Sequence, residues 1–202
     1  MPGDLLNTEW QAEFTGWKAI QSIRRARIAG TKLRVIILGP GKDSFGHDKR
    51  LIIRQHLQQD ANNDVAFLEE LVKDAKGQTP NNIILEQAYY IEEANVVIAL
   101  AVATEKVTGV LNELVTYRNM LPTFEAKTWL ILPRGGGKDK SKARSKGLIQ
   151  SEVAQFPNDH KLFYNHDEFA ECTKIRAYAQ KQVDNARNRI FYDAVIQKAR
   201  AK

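Results

Sequence analysis

Residues 95–101 read "NVVIALA", and residues 109–114 read "GVLNEL". From Val96 to Leu100 no polar side chain interrupts a run rich in β-branched residues. It is short for a helix and lacks the alternation that would leave one face wet, so it reads as a strand buried on both faces. Sheets buried on both faces are parallel ones, with helices covering each side. Just beyond, Val110 to Met120 takes helical spacing, which puts Glu113 past the carboxyl end of that strand, on what reads as the first turn of a helix.

Working outward, the same strand and helix alternation repeats. "LRVIIL" at 33–38 is a first strand running into Gly39-Pro40-Gly41, and 49–59 follows as a helix through Leu51, Ile52 and Leu57. "DVAFL" at 64–68 is a second strand, and 83–93 is a helix that follows the polar "KGQTPNN". "KTWLIL" at 127–132 and "KLFY" at 161–164 are the fourth and fifth strands, and a last helix runs from about Asp167 nearly to Lys202. Strands separated by helical patterns make βαβ units with right-handed crossovers. The expected fold is a single α/β flavodoxin-like three-layer domain with a mainly parallel five-stranded sheet, plus N-terminal and C-terminal helical extensions. Its divisions fall at 1–30, an N-terminal helix with Trp10, Phe14, Trp17 and Ile20 on one stripe; 31–170, the α/β domain; and 171–202, a basic helix.

A chain of 202 residues, 43% hydrophobic, is long enough to bury a full core. No apolar run approaches a membrane span, and Met1-Pro2-Gly3-Asp4 lacks the layout of a secretion signal, so a cytoplasmic protein is expected. The lone Cys172 and four scattered histidines form no metal-ligand set. The net charge of +6 is unevenly placed: "RGGGKDKSKARSK" at 134–146 and the tail from Lys174 are strongly basic, so the remainder of the chain is acidic. Charge so distributed belongs to one Gly-rich loop and one terminal helix, and it is not the footprint of a nucleic-acid-binding core.

In open parallel sheets ligands bind beyond the carboxyl ends of the strands. That selects "GPGKDSFGHDKR" at 39–50, where Gly39, Gly41, Ser44 and Gly46 would let backbone amides approach an anionic or sugar group, with Arg50 at the start of the next helix. The spacing fits neither a P-loop nor a full G-x-G-x-x-G, and a plain tight turn accounts for the same residues. His47, alone, reads as a surface histidine. Glu69 and Glu70 follow the second strand at the same edge, as substrate contacts or as a solvated helix start. Asn95 begins its strand and therefore faces the opposite edge. Glu113 is the leading catalytic candidate, with Gly109 permitting close approach; a helix dipole acting on a first-turn carboxylate lowers its pKa and keeps it ionised. The competing reading of Glu113 is a capping glutamate.

The segment "IEEANVVIALAVATEKVTGVLNELVTYRNM" at 91–120 resembles the matching part of nucleoside 2-deoxyribosyltransferase-like and Toll/interleukin-1 receptor (TIR)-like domains, where an "a-D/N-v-v-i-a" strand leads through a short loop to "G-v-x-x-E-L". The likeness extends over about residues 33–170, with a Gly-rich loop after the first strand, an early helix carrying "KR" and a five-stranded flavodoxin-like order, but only the Glu113 segment is specific. The resemblance implies that Glu113 acts at C1′ while an N-glycosidic bond to a base or to nicotinamide breaks. Deoxyribosyltransferases usually carry an aspartate on the preceding helix; here Gln87 falls near that position, with Glu86 and Tyr89 beside it. TIR-like NAD-cleaving enzymes depend chiefly on the one glutamate, because nicotinamide leaves without protonation, and the departure favours that branch.

The expected activity is N-glycosidic bond cleavage or transfer on a nucleoside, nucleotide or NAD-type substrate, with no cofactor, since NAD enters as substrate. Two alternatives stand beside it: a non-catalytic nucleotide-sensing or protein-interaction domain of the same fold, and nucleic-acid binding through the basic loop and tail. The apolar stripes of the terminal helices point to a homo-oligomer.

Overall fold

The computed structural model describes residues 30–39, 49–72, 80–100, 107–133, 153–164 and 173–201. The expected N-terminal helix at 7–29, the loop residues 41–48, the basic loop 134–146 and the start of the last helix near Asp167 lie outside them.

Five strands alternate with helices: β1 (Leu33–Leu38), α1 (Lys49–Gln58), β2 (Asn63–Phe67), α2 (Leu68–Leu71), α3 (Pro80–Glu93), β3 (Val96–Leu100), α4 (Val107–Met120), α5 (Phe124–Lys127), β4 (Thr128–Pro133), a 3-10 turn (Asn158–His160), β5 (Lys161–Tyr164) and α6 (Thr173–Arg200). Every strand pair is parallel, and the order is β2-β1-β3-β4-β5. This is the flavodoxin-like order, with its switch point between β1 and β3. The step from β1 to β2 runs in the opposite direction to the steps from β2 to β5. Right-handed crossovers therefore put α1 on one face of the sheet and α3 and α4 on the other.

Strand periodicity divides the core between those faces. Ile36, Leu38, Val97, Ala99, Leu130 and Leu132 point toward α3, α4 and α5, where they meet Ala88, Ile91, Leu114, Tyr117 and Phe124. Val35, Ile37, Val96, Ile98 and Ile131 are equally buried on the other face. β3 is buried at all five positions, as its unbroken apolar run requires.

The amino edge of the sheet is closed by reciprocal polar contacts. Asn95 accepts from the Arg34 amide through Oδ1 at 2.8 Å and gives its own amide to the Arg34 carbonyl at 2.9 Å, joining β3 to β1. Buried Asn63 donates to the Leu57 carbonyl at 2.9 Å. The His160 ring stacks on Trp129 at 4.9 Å between centroids, and its Nδ1 lies 3.0 Å from the Thr128 carbonyl, which can only accept, so Nδ1 carries the proton.

Several elements differ from the sequence reading. α3 begins at Pro80, three residues early, because a proline is tolerated in a first helical turn, where its missing N–H has no partner to lose. α4 begins at Val107, although Thr108 and Gly109 are poor helix formers. α2 and α5 are single turns, too short to show any periodicity.

The chain divides into two compact units, Leu33–Ala186 and the terminal segments Met1–Lys32 with Arg187–Lys202. Within the first, α6 buries Ile175, Ala179 and Val183. Within the second, the Arg187 guanidinium donates to the Thr31 carbonyl at 3.1 Å, and Tyr192, Val195 and Ile196 stand exposed.

Candidate active site

Three chain segments meet the carboxyl edge between β2, β1 and β3. At the end of β1, a Cβ on Gly39 would lie 2.7 Å from the Leu100 carbonyl oxygen, so the two strand ends approach more closely than any other residue allows. That is a packing reason for Gly39, independent of ligand contact. β2 passes without a loop into α2, which sets Glu69 and Glu70 at the edge. α4 descends from the same edge carrying Glu113 and, one turn later, Tyr117.

Neighbouring residues on a helix diverge by about 100°, and the two acids of α2 separate accordingly. Glu70 turns to α1, where Nη1 of Arg54 reaches its two carboxylate oxygens at 2.7 and 2.9 Å while the same guanidinium covers the Phe67 ring. Glu69 is exposed, and its charge is felt at Glu113.

Glu113 is half-buried, and its pKa is pushed up to about 7, first by burial and second by the charge of Glu69. This overturns the expectation of a lowered pKa. Because α4 starts at Val107, Glu113 stands in the second turn, beyond the first turn within which a helix dipole acts. Desolvation therefore decides, and it favours the neutral acid. Among the described residues no hydrogen bond holds the Glu113 carboxyl.

Tyr117 extends the cluster inward. Its ring is buried against Phe124, its hydroxyl donates to Gln87 Oε1 at 2.5 Å, and its pKa is raised by burial and then by the charge of Glu113. Gln87 is therefore oriented by a neighbour thirty residues away, with its amide nitrogen left as a donor. Tyr89, beside it on α3, points outward and is 62% exposed.

The structure thus brings together Glu113 and Glu69 and joins to them the Tyr117 and Gln87 pair, of which Tyr117 escaped the sequence reading. The available signal was its spacing, four residues after Glu113 on one helix. Glu70 is directed elsewhere. Gly109 lies within α4 and Arg50 within α1, while Gly41, Ser44 and Gly46 fall outside the described residues. Among the described residues no three His, Cys, Asp or Glu side chains are grouped as metal ligands, and no helix is long and apolar enough to cross a membrane.

What the arrangement can do chemically is defined by one carboxyl group that gains and loses a proton near neutrality, beside a second carboxylate, at the ligand-binding edge of a doubly wound sheet. Compared with protein-family models, curated proteins and solved structures, the chain matches none.

Proposed function

We propose that the chain cleaves or transfers an N-glycosidic bond of a nucleoside, nucleotide or NAD-type substrate, with Glu113 acting at C1′. The observation that carries the reading is the half-buried Glu113 at the carboxyl edge, its proton affinity raised by desolvation and by Glu69. The likeness of residues 91–120 to the deoxyribosyltransferase-like and TIR-like segment supports the same assignment.

In the reaction the C1′–N bond breaks and its electron pair leaves with the base. Positive charge grows at C1′ and the ring oxygen, and an anion held in a poorly solvated site stabilises that charge more than it stabilises the ground state. Ionised Glu113 supplies the anion, either bonding to C1′ or holding it until water adds there and gives its proton to solvent. Nicotinamide departs neutral, so no acid is required on the leaving group. For an ordinary nucleobase the leaving nitrogen needs a proton, and neither Tyr117, with its raised pKa, nor the amide of Gln87 is an efficient source. NAD-type substrates are therefore favoured. The reading places the activity in the cytoplasm on a small molecule and requires no cofactor.

The full chain is incubated with NAD, NADP, deoxynucleosides and their monophosphates, and base release is followed. Glu113→Gln is expected to lower the rate by about a hundredfold or more while the fold persists. Because the ionised form acts, the wild-type rate rises with pH and levels above about 7. A Glu113→Gln variant that keeps near-wild-type turnover sinks the assignment, and a rate that falls through the same pH range makes Glu113 a proton donor instead.

A further inference from the structure

Past Arg187, α6 carries an apolar face that stands in solvent. Tyr192, Val195 and Ile196 are 47%, 40% and 49% exposed, and Ala199 continues them one turn on. Spacings of three, one and three residues set these four within about 100° of one another around the helix axis, with Arg189, Asp193, Gln197 and Arg200 on the other side. Apolar side chains scattered singly over a surface need no partner, but a stripe sustained over two turns is a contact face. At its root buried Arg187 donates through Nε to the Thr31 carbonyl at 3.1 Å, so the chain enters β1 from beside the start of the exposed stretch. Met1–Lys32 and Arg187–Lys202 form one compact unit.

We propose that the occupant of this face is the chain's own segment 7–29, docked as a helix antiparallel to α6 with Trp17 and Ile20 turned to Tyr192, Val195, Ile196 and Ala199. Three observations select that occupant over a second copy of the chain. The first is the tether: with Thr31 held at Arg187, the segment meets the stripe as an intramolecular partner, whereas a second copy must find it from dilute solution. The second is length. At about 1.5 Å per residue, residues 188–200 and residues 17–29 both span about 20 Å, which brings Trp17, Ile20 and Ile23 alongside the stripe. The third is charge. Asp4, Glu9 and Glu13 all precede Trp17, so an antiparallel course carries them toward Lys198 and Arg200 at the end of α6 and sets Arg24 and Arg25 near Asp193. Two copies of residues 187–202 would instead oppose five Lys or Arg and a single acid to the same set. The docking is independent of the chemistry proposed for Glu113.

The test uses the full chain, whose three tryptophans are Trp10, Trp17 and the buried Trp129 of β4. Acrylamide quenching therefore reports on the segment. The double variant Val195→Asp with Ile196→Asp puts two charges where the docked helix needs an apolar contact, and the quenching constant is expected to rise at least about twofold while light scattering gives the mass of one chain throughout. Reciprocally, Trp17→Ala is expected to shift the ¹⁵N–¹H signals of residues 188–200 and to leave those of β1 and β3 in place. The β1 and β3 signals also show that the sheet persists in both variants. Quenching that the double variant leaves unchanged overturns the inference, as do 188–200 signals indifferent to Trp17→Ala. A wild-type dimer that the double variant turns into single chains overturns it too, assigning the face to a second copy.

Discussion

The two edges of this sheet use polar residues in opposite ways. At the amino edge Asn95, Asn63, His160 and Thr128 each satisfy a backbone group: Asn95 spans β1 and β3, Asn63 ties α1 to β2, and Thr128 donates to the Phe124 carbonyl at 2.5 Å. Their hydrogen-bonding capacity is committed to the fold. At the carboxyl edge, among the described residues, Glu113 has no such bond, and burial with a like charge from Glu69 makes its ionised form costly. A half-buried acid that stabilises nothing in the fold is a candidate functional group, and the contrast supports the proposal that chemistry belongs to one edge while the other edge is committed to architecture.

The sharpest way to break that contrast is to measure stability against pH for Glu113→Gln. The carboxyl binds its proton more tightly in the folded chain, with a pKa of about 7, than at its ordinary value of 4.5. Below pH 4.5 both states hold the proton and the group costs nothing. As pH rises the unfolded chain releases it first, so stability falls until the folded carboxyl has ionised, above about pH 7. Glu113→Gln removes that loss and is expected to be more stable than wild type at pH 8 by as much as about 3 kcal/mol, less whatever solvent screening recovers, with the gap closing near pH 4. Melting curves at the two pH values decide it; a variant less stable at pH 8 would make Glu113 an ordinary structural residue.

At the other edge the sign reverses. Asn63→Ala leaves the Leu57 carbonyl without its side-chain donor in a buried position and should cost about 2 kcal/mol. No change in any turnover measured for the wild type is expected beyond the loss of folded protein. Urea titration gives the first quantity and activity per folded molecule the second. If Asn63→Ala impaired activity while leaving the midpoint unmoved, the division of labour between the edges would be wrong.

The smallest effect belongs to the amino edge's exposed ion pair. Arg34 and Asp64 stand 3.5 Å apart with both side chains about half exposed. Water and salt screen such a pair, and Asp64→Asn should change stability by less than about 0.5 kcal/mol. A larger loss in the same urea titration would mean that the edge is held by charge as well as by backbone contacts.

Much of this architecture was legible in the sequence because the strands advertise themselves. β3 is buried at all five positions and β1 at every position but Arg34, so their apolar runs stand out, and Gly39 marks the exit from β1. Helices of a single turn leave a fainter trace: Glu69 and Glu70 read as substrate contacts or as a solvated helix start, and they lie in the single turn of α2. Glu113 was legible as a residue at the right edge, but its protonation was not. That depended on a helix starting three residues earlier than Thr108 and Gly109 suggest, and on the approach of Glu69 from another element. The bond from Tyr117 to Gln87 joins residues thirty positions apart and has no local pattern to reveal it.

The strand order also has a consequence in time. Each strand pair is closed by a long crossover, so no short hairpin can start the sheet, and folding of such topologies is slow relative to helical bundles. Yet the order β2-β1-β3-β4-β5 never requires a strand to enter between two that are already paired. β2 docks on one side of β1, β3 on the other, and β4 and β5 then extend the free edge in turn. A chain emerging from the ribosome at about 5 to 20 residues per second can lay down its sheet in the order of synthesis, each new strand finding an open edge and displacing none.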